Sequence, residues 1–167
     1  MPIYEKILLV ISSSNSKLST ICRYVALSLV CLMTLVILIQ VISRYLIGHA
    51  LSWPEEVAKF MMVWITFLMA PYAYRQEINV KITFLNRRLK GMPANYFNMF
   101  THGLILFLAL IFLQQGLNMT IRGHLIYASS VAIRMDVVYI VLPFSFLMIA
   151  FVSFEKILDR LNLILDR

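Results

Sequence analysis

The chain has 167 residues, of which 61% are hydrophobic and 14% are charged, and its formal net charge is +7. This composition excludes an average soluble domain, because such domains carry about 25% charged residues. The sequence has neither the aromatic-basic sheet motif nor the metal-finger spacing of nucleic-acid readers, so the positive charge does not indicate a nucleic-acid partner.

Residues 1–20 form the first predicted element. Ile3, Ile7 and Ile11 recur at helical spacing, which predicts a short amphipathic helix lying on the membrane surface. The serine- and asparagine-rich run 12–16 that follows is expected to break this helix.

Four apolar segments come next, and each is long enough to cross a hydrocarbon layer of about 30 Å as a helix. They are predicted at 24–47, 53–75, 95–121 and 134–155, and an amphipathic tail is predicted at 156–167. The sequence therefore predicts an all-α integral membrane protein, with four transmembrane helices in a single membrane domain. Pro143, inside the fourth segment, is expected to kink its helix.

Two of these segments carry polar side chains within their apolar stretches. Gln40 and Ser43 lie in the first, and Gln114 and Asn118 lie in the third. Lipid tails cannot hydrogen-bond such groups, so we expect all four residues to face neighbouring helices.

The start of the second segment carries helix-initiating residues. Ser52 and Glu55 have the spacing of a capping box, and Glu55 and Glu56 place negative charge at the positive end of the helix dipole. Arg44 is expected to pair with Glu55 or Glu56 across a short connection, which makes the first two segments an antiparallel hairpin. The alternative is that these charges form a docking site for a soluble partner.

The stretch 76–93 separates the second and third segments. Its apolar residues follow one helical stripe, and its basic residues fall largely off that stripe: Lys81, Arg87, Arg88 and Lys90. This pattern predicts a helix in the headgroup plane, with its basic side toward anionic lipids. A basic cytoplasmic loop is the alternative.

The basic residues also predict the orientation of the chain. Eleven of the 15 lysine and arginine residues fall on the side that holds the N-terminus, the stretch 76–93 and the C-terminus. Basic residues stay preferentially in the cytoplasm, so both termini are expected there.

A group of residues around the first two segments resembles a known family. An Arg-Tyr pair closes the first segment, a Trp-x-Glu-Glu sequence opens the second, and an internal tryptophan and a final arginine complete the pattern. These residues are Arg44, Tyr45, Trp53, Glu55, Glu56, Trp64 and Arg75. The arrangement resembles the small four-helix membrane subunit of tripartite ATP-independent periplasmic (TRAP) transporters.

The resemblance implies a function and a set of partners. In TRAP systems of the bacterial inner membrane, a periplasmic binding protein captures an organic acid such as sialic acid or a C4-dicarboxylate. A large membrane subunit carries the substrate and sodium sites, and the small subunit widens the fixed platform beside it. The motif residues Arg44, Tyr45, Trp53, Glu55 and Glu56 would then shape the outer face where partners meet. Arg122, Arg134 and Asp136 are candidates for this face by location only.

Chemistry that would let the chain act alone is missing from the sequence. The apolar parts of the four segments hold no acidic residue, and no clear inverted repeat is present, so we expect the chain not to carry solute by itself. A self-contained exporter is the hypothesis that this expectation opposes. No catalytic, phosphate-binding or zinc motif occurs, so we expect no enzymatic activity and no cofactor.

An electron-transfer membrane anchor is the alternative from another class of protein. Haem ligation needs histidine pairs at matched depth. His49 and His124 lie in or beside loops, and His102 is alone in its half of the third segment. We expect His102 to be a buried, hydrogen-bonded side chain.

Overall fold

The structure is a computed structural model that describes residues 3–48, 51–76 and 92–165. Its helices are α1 (Ile3–Ile42), α2 (Trp53–Arg75), α3 (Met92–Gly123), α4 (Met135–Tyr139) and α5 (Val141–Leu165). Four stretches are long and apolar enough to span a membrane: Ser12–Leu46, Trp53–Arg75, Phe97–Gly123 and Met135–Asp159. The predicted all-α fold with four spans is confirmed. The basic residues of the predicted surface helix lie outside the described residues: Lys81, Arg87, Arg88 and Lys90.

Helix α1 runs without interruption through the polar run 12–16, so the break predicted there is wrong. The run packs against other helices instead of turning the chain. The Ser12 carbonyl accepts a hydrogen bond from Arg75 at 3.0 Å, and Asn15 donates to the carboxylate of Glu155 at 2.6 Å. Because neighbouring helices satisfy these polar groups, they do not compete with the backbone of α1.

The connection between α1 and α2 is short. Helix α1 passes into a π-helical turn at Ser43–Ile47, which ends at Gly48. Gly48 has φ 72°, a left-handed conformation that glycine adopts without a Cβ penalty. The next described helix begins at Trp53, so α1 and α2 are antiparallel neighbours.

The predicted capping box at the start of α2 is not formed. Ser52 has a helical backbone (φ −84°, ψ −29°), and its side chain makes no capping hydrogen bond. A capping serine normally has an extended backbone, which aims its hydroxyl at the free N–H groups of the first turn. The Glu55 carboxylate instead accepts a hydrogen bond from Lys59 at 2.8 Å.

One narrow stripe of α1 faces the bundle. Its residues alternate at spacings of four and three, as in a coiled-coil seam, and many are small: Asn15, Ser19, Cys22, Ala26, Leu29, Met33, Val36, Gln40 and Ser43. Small residues let helix backbones approach closely in a membrane, and α1 packs chiefly on α2 through this stripe. Ser43 is buried and Gln40 is half-buried, so both face the bundle.

Helix α3 packs on α5 through glycine. A Cβ added at Gly116 would lie 3.1 Å from the backbone nitrogen of Pro143, so a larger residue there would require the helices to shift by a few tenths of an ångström. Pro143 has no N–H to donate to the carbonyl of Tyr139, and the helix is interrupted just there, at Ile140, between α4 and α5. The bundle thus has α2 and α5 at its centre, with α1 packed mainly on α2 and α3 mainly on α5.

A polar network closes the end of the bundle where Ser12, Arg75 and Glu155 lie, which we call the termini end. The Tyr74 hydroxyl is 2.8 Å from Nδ1 of His102 and 3.1 Å from the hydroxyl of Ser153. Ser153 in turn donates to the carbonyl of His102 at 2.7 Å. His102 is therefore a buried, hydrogen-bonded side chain, as predicted.

The same network contains a buried ion pair. Glu155 accepts from Asn15 and lies 3.4 Å from Arg75, and the side chains of Glu155 and Arg75 are only 8% and 19% exposed. These contacts join α1, α2 and α5 at one level. Glu155 is the last residue of the fourth segment predicted from the sequence, and its burial was not predicted.

Candidate functional site

The predicted outer-face residues gather at the end of the bundle opposite the termini end. We call this the loop end, because it holds the α1–α2 connection and the loop 124–134 between α3 and α4. The predicted residues at this end are Arg44, Tyr45, Trp53, Glu55, Glu56, Arg122, Arg134 and Asp136.

The loop 124–134 has a hairpin backbone. Ala128 N–H donates to the carbonyl of Ile133 at 2.9 Å, and Met135 N–H donates to that of Ile126 at 2.9 Å. Tyr127 and Arg134 form an antiparallel bridge, the one bridge in the described part of the chain. These hydrogen bonds give the loop a defined shape without a sheet beneath it.

Glu56 holds the tip of this loop. Its carboxylate accepts hydrogen bonds from the backbone N–H groups of Ser129, at 2.9 Å, and Ser130, at 2.6 Å. Hydrogen bonds to an ionised acceptor are stronger than neutral ones. The first turn of α2 is thereby tied to a loop more than 70 positions later in the chain.

A second group of polar residues lies at the base of the loop. Arg134 donates to the carboxylate of Asp136 and to Nδ1 of His124. The carboxylate also accepts from the backbone N–H of Val137 at 2.8 Å. The hydrogen bond to Asp136 raises the pKa of the Arg134 guanidinium above its ordinary value.

Two other predicted residues at the loop end, Arg44 and Tyr45, are exposed. Arg44 makes no direct hydrogen bond or ion pair with Glu55 or Glu56 in the described chain, where Lys59 bonds to Glu55 and the loop tip bonds to Glu56. The charge of Arg44 acts on the Glu55 carboxylate at longer range. The predicted pairing with Glu55 is therefore an electrostatic interaction without a direct contact. Tyr45 is 79% exposed.

Large apolar side chains surround these charges. Leu46 is 80% exposed and Leu125 is 84% exposed, and Tyr127 is also exposed. Exposed apolar side chains rimmed by polar groups are typical of interaction surfaces. Sequence reasoning missed Leu125 and Tyr127, because an apolar residue beside a membrane span carries no local sign of whether it meets lipid, water or protein.

We predict that Glu56 and Glu55 respond differently to substitution. Glu56→Ala removes the acceptor of two loop amides, so the loop tip is expected to open more often and its amides to exchange several-fold faster. Hydrogen–deuterium exchange of the peptide containing Ser129 and Ser130 measures this change.

Glu55→Ala is the matched control. Within the described ranges the Glu55 carboxylate bonds to Lys59 alone, and both side chains are more than half exposed. Exchange in the loop should stay at the wild-type rate in this variant. Equal exchange in the two variants would show that Glu56 does not hold the loop.

Comparison with known proteins identifies similar sequences. Residues 33–163 match the family described as "Tripartite ATP-independent periplasmic transporters, DctQ component". The chain is 28% identical to a candidate TRAP transporter small permease protein of Haemophilus influenzae, over 45% of this chain and 44% of the relative. It is 30% identical to the isethionate TRAP transporter permease protein DctMQ of Oleidesulfovibrio alaskensis, over 72% of this chain and 20% of that relative. The matched region thus spans less than half of either relative, and none of these matches supports the electron-transfer hypothesis.

Proposed function

This chain belongs to the DctQ component family of tripartite ATP-independent periplasmic transporters, and we propose that it acts there as a scaffold subunit. In this role it braces a large permease subunit and does not itself carry the solute. The observation that carries the proposal is that three acidic side chains at the two ends of the described bundle, Glu56, Asp136 and Glu155, already have protein partners.

The polar groups at the two ends of the bundle serve structural contacts. At the termini end, Glu155 is engaged by Asn15 and Arg75. At the loop end, Glu56 is engaged by the loop tip and Asp136 by Arg134. A solute or coupling ion needs ligands that are free to bind it, and these side chains already have protein partners.

One groove among the helices offers no ligands for an anion. A cavity of about 350 Å³ lies between α1, α2 and the α4–α5 pair, and its walls are apolar, with Trp64, Leu68 and Val141 among them. Organic acids are recognised by cationic or hydrogen-bond-donating groups placed in a pocket. The groove therefore suits a lipid chain or a packed side chain better than a carboxylate.

We propose a membrane, an orientation and a set of partners for the assembly in which the scaffold works. The chain sits in a bacterial inner membrane with both termini cytoplasmic, as the distribution of basic residues favours. Its partners are a large permease subunit and a periplasmic binding protein, which the loop end would face. The DctMQ relative supports a large permease as the neighbour, because the segment aligned with this chain is only 20% of that permease protein.

The transported substrate is proposed to be an organic acid imported with sodium. Sialic acid and C4-dicarboxylates are the leading candidates, and isethionate, named for the DctMQ relative, adds a small organic sulfonate to the class. All are anions, so the specificity contacts would lie on the binding protein and the large permease.

Charge reversal at the loop end tests the scaffold function in cells. The double variant Glu55→Lys plus Glu56→Lys should insert into the membrane but impair uptake, because it releases the loop tip and reverses the charge of the surface. Uptake of a radiolabelled organic acid and the amount of membrane-inserted protein are measured together. The single variant Glu55→Lys leaves the loop bonds of Glu56 in place and should lose less activity. Full uptake by the double variant would remove both residues from the function.

A further inference from the structure

The outward face of α3 carries side-chain amides inside the membrane span. Gln114 and Asn118 are both exposed and lie one turn apart, on the side of α3 that faces away from α5. At 1.5 Å per residue, Asn118 lies about 7 Å from the end of α3 at Gly123, and Gln114 lies about 13 Å from it. The Gln114 amide is therefore within the hydrocarbon of a bilayer about 30 Å thick.

Neither amide has a partner in the described part of the chain. The buried stripe of α3 lies on its opposite side, where Ala109, Gly116 and Gly123 pack inward. Lipid tails offer no hydrogen bonds, and an unsatisfied amide in an apolar medium costs several kcal/mol. The prediction that Gln114 and Asn118 face another helix therefore requires a helix from outside this described bundle.

The outward face of α1 provides the contrast. Two exposed hydroxyls in its middle are satisfied by their own helix: Ser28 donates to the carbonyl of Val25 at 2.8 Å and Thr34 to that of Val30 at 2.9 Å. The neighbouring exposed residues Leu35 and Leu38 are aliphatic. This face is compatible with lipid as it stands, whereas the face of α3 is not.

We propose that the outward face of α3, formed by Phe107, Ile111, Gln114, Asn118 and Ile121, is the surface on which the large permease subunit docks. The partner element is a transmembrane helix with side chains that hydrogen-bond to Gln114 and Asn118. This inference rests on the proposed scaffold function, since it names the face that the scaffold uses.

Two observations show that this face is available to a partner, and a third favours the large permease over a second copy of the chain. Helix α3 is at the edge of the bundle, packed chiefly on α5, so its far side is free to receive a helix. The exposed apolar residues Leu125 and Tyr127 follow directly after α3 and extend the surface beyond the span. The DctMQ relative joins its aligned segment, 20% of its length, to a much longer permease chain, which places a permease next to this subunit by covalent linkage in that protein.

Site-specific photo-cross-linking in the native membrane tests the proposal. Benzoylphenylalanine is placed at Phe107 on α3 or, as the matched control, at Leu35 on α1, since these side chains are 61% and 57% exposed. After irradiation, the tagged chain is purified, and its adducts and bound proteins are identified by mass spectrometry. We expect an adduct with the large permease from position 107 and no such adduct from position 35.

The other outcomes separate failure of this inference from failure of the proposed function. Suppose that the permease co-purifies but cross-links only from position 35, or that position 107 gives only a dimer of this chain or no protein adduct. In each of these cases the proposed docking face is wrong and the scaffold function stands. If no large membrane protein co-purifies with the chain, both are overturned.

A pair of variants tests the contribution of the amides themselves. Gln114→Leu plus Asn118→Leu removes two interhelical hydrogen bonds and should weaken retention of the permease in detergent about five- to tenfold. Ser28→Ala plus Thr34→Val removes two exposed hydroxyls that bond only to α1 and should leave retention unchanged. Equal retention of the permease by both double variants would overturn the role of the amides.

Discussion

Replacing Glu155 by leucine is expected to lower the melting temperature of the purified protein by about 10 °C, the largest effect we predict for any single substitution. Glu155 is 8% exposed and is the acidic partner of Arg75, which is itself mostly buried. Removing one member of a buried ion pair leaves the other charge uncompensated and costs about 3 kcal/mol. For a protein of this size, such a loss corresponds to a shift of about 6–12 °C.

Two further variants show whether the loss of stability comes from leaving Arg75 buried without its acidic partner. Glu55→Ala removes an equivalent charge from an exposed pair that water screens, so it should leave the melting temperature close to that of the wild type. The double variant Arg75→Met plus Glu155→Leu replaces the pair by apolar side chains and should be more stable than Glu155→Leu alone. A Glu155→Leu protein that melts with the wild type would contradict the structural role of the pair.

The second large effect is expected at Gly116, where α3 crosses α5. A Cβ at this position would lie 3.1 Å from the nitrogen of Pro143 and 3.4 Å from the Cβ of Leu142. Gly116→Leu must therefore push the two helices apart, and overpacking of this kind costs about 1–3 kcal/mol. Thermal unfolding in detergent, followed by circular dichroism, measures the loss.

Gly103 on the same helix is the matched control. Among the residues that the structure describes, none lies within 4 Å of a Cβ added there. Gly103→Leu should therefore be neutral or stabilising by up to about 1 kcal/mol, because leucine favours a helix more than glycine does. If Gly116→Leu and Gly103→Leu unfold at the same temperature, close packing at Gly116 is not what holds α3 against α5.

The spans were predictable because hydrophobic length is a local property of the sequence. The range 53–75 predicted for the second segment is also the range of α2. The predicted break at 12–16 failed because a serine-rich run can either cap its own backbone or pack against other helices. Only the position of Arg75 and Glu155 decides between these outcomes.

The site was harder to predict, because its contacts join residues far apart in the sequence. Glu56 was predicted as an outer-face residue, yet its partners are backbone N–H groups of Ser129 and Ser130, which no side-chain pattern reveals. In a membrane protein, hydrophobicity also fails to tell the inward face of a helix from its lipid face, since both are apolar. The sequence therefore identified Ser43 and Asn118 as the same kind of residue, whereas Ser43 is buried in the bundle and Asn118 points away from it.

Reconstitution of the purified chain alone is the most direct test of the scaffold function. The protein is placed in vesicles with an imposed sodium gradient, and the entry of radiolabelled sialic acid, succinate and isethionate is measured in the presence of the binding protein. Vesicles that also contain the large permease subunit provide the active control. We expect no flux above that of protein-free vesicles until the permease is added. Sustained, saturable uptake by the chain without the permease would contradict the scaffold function.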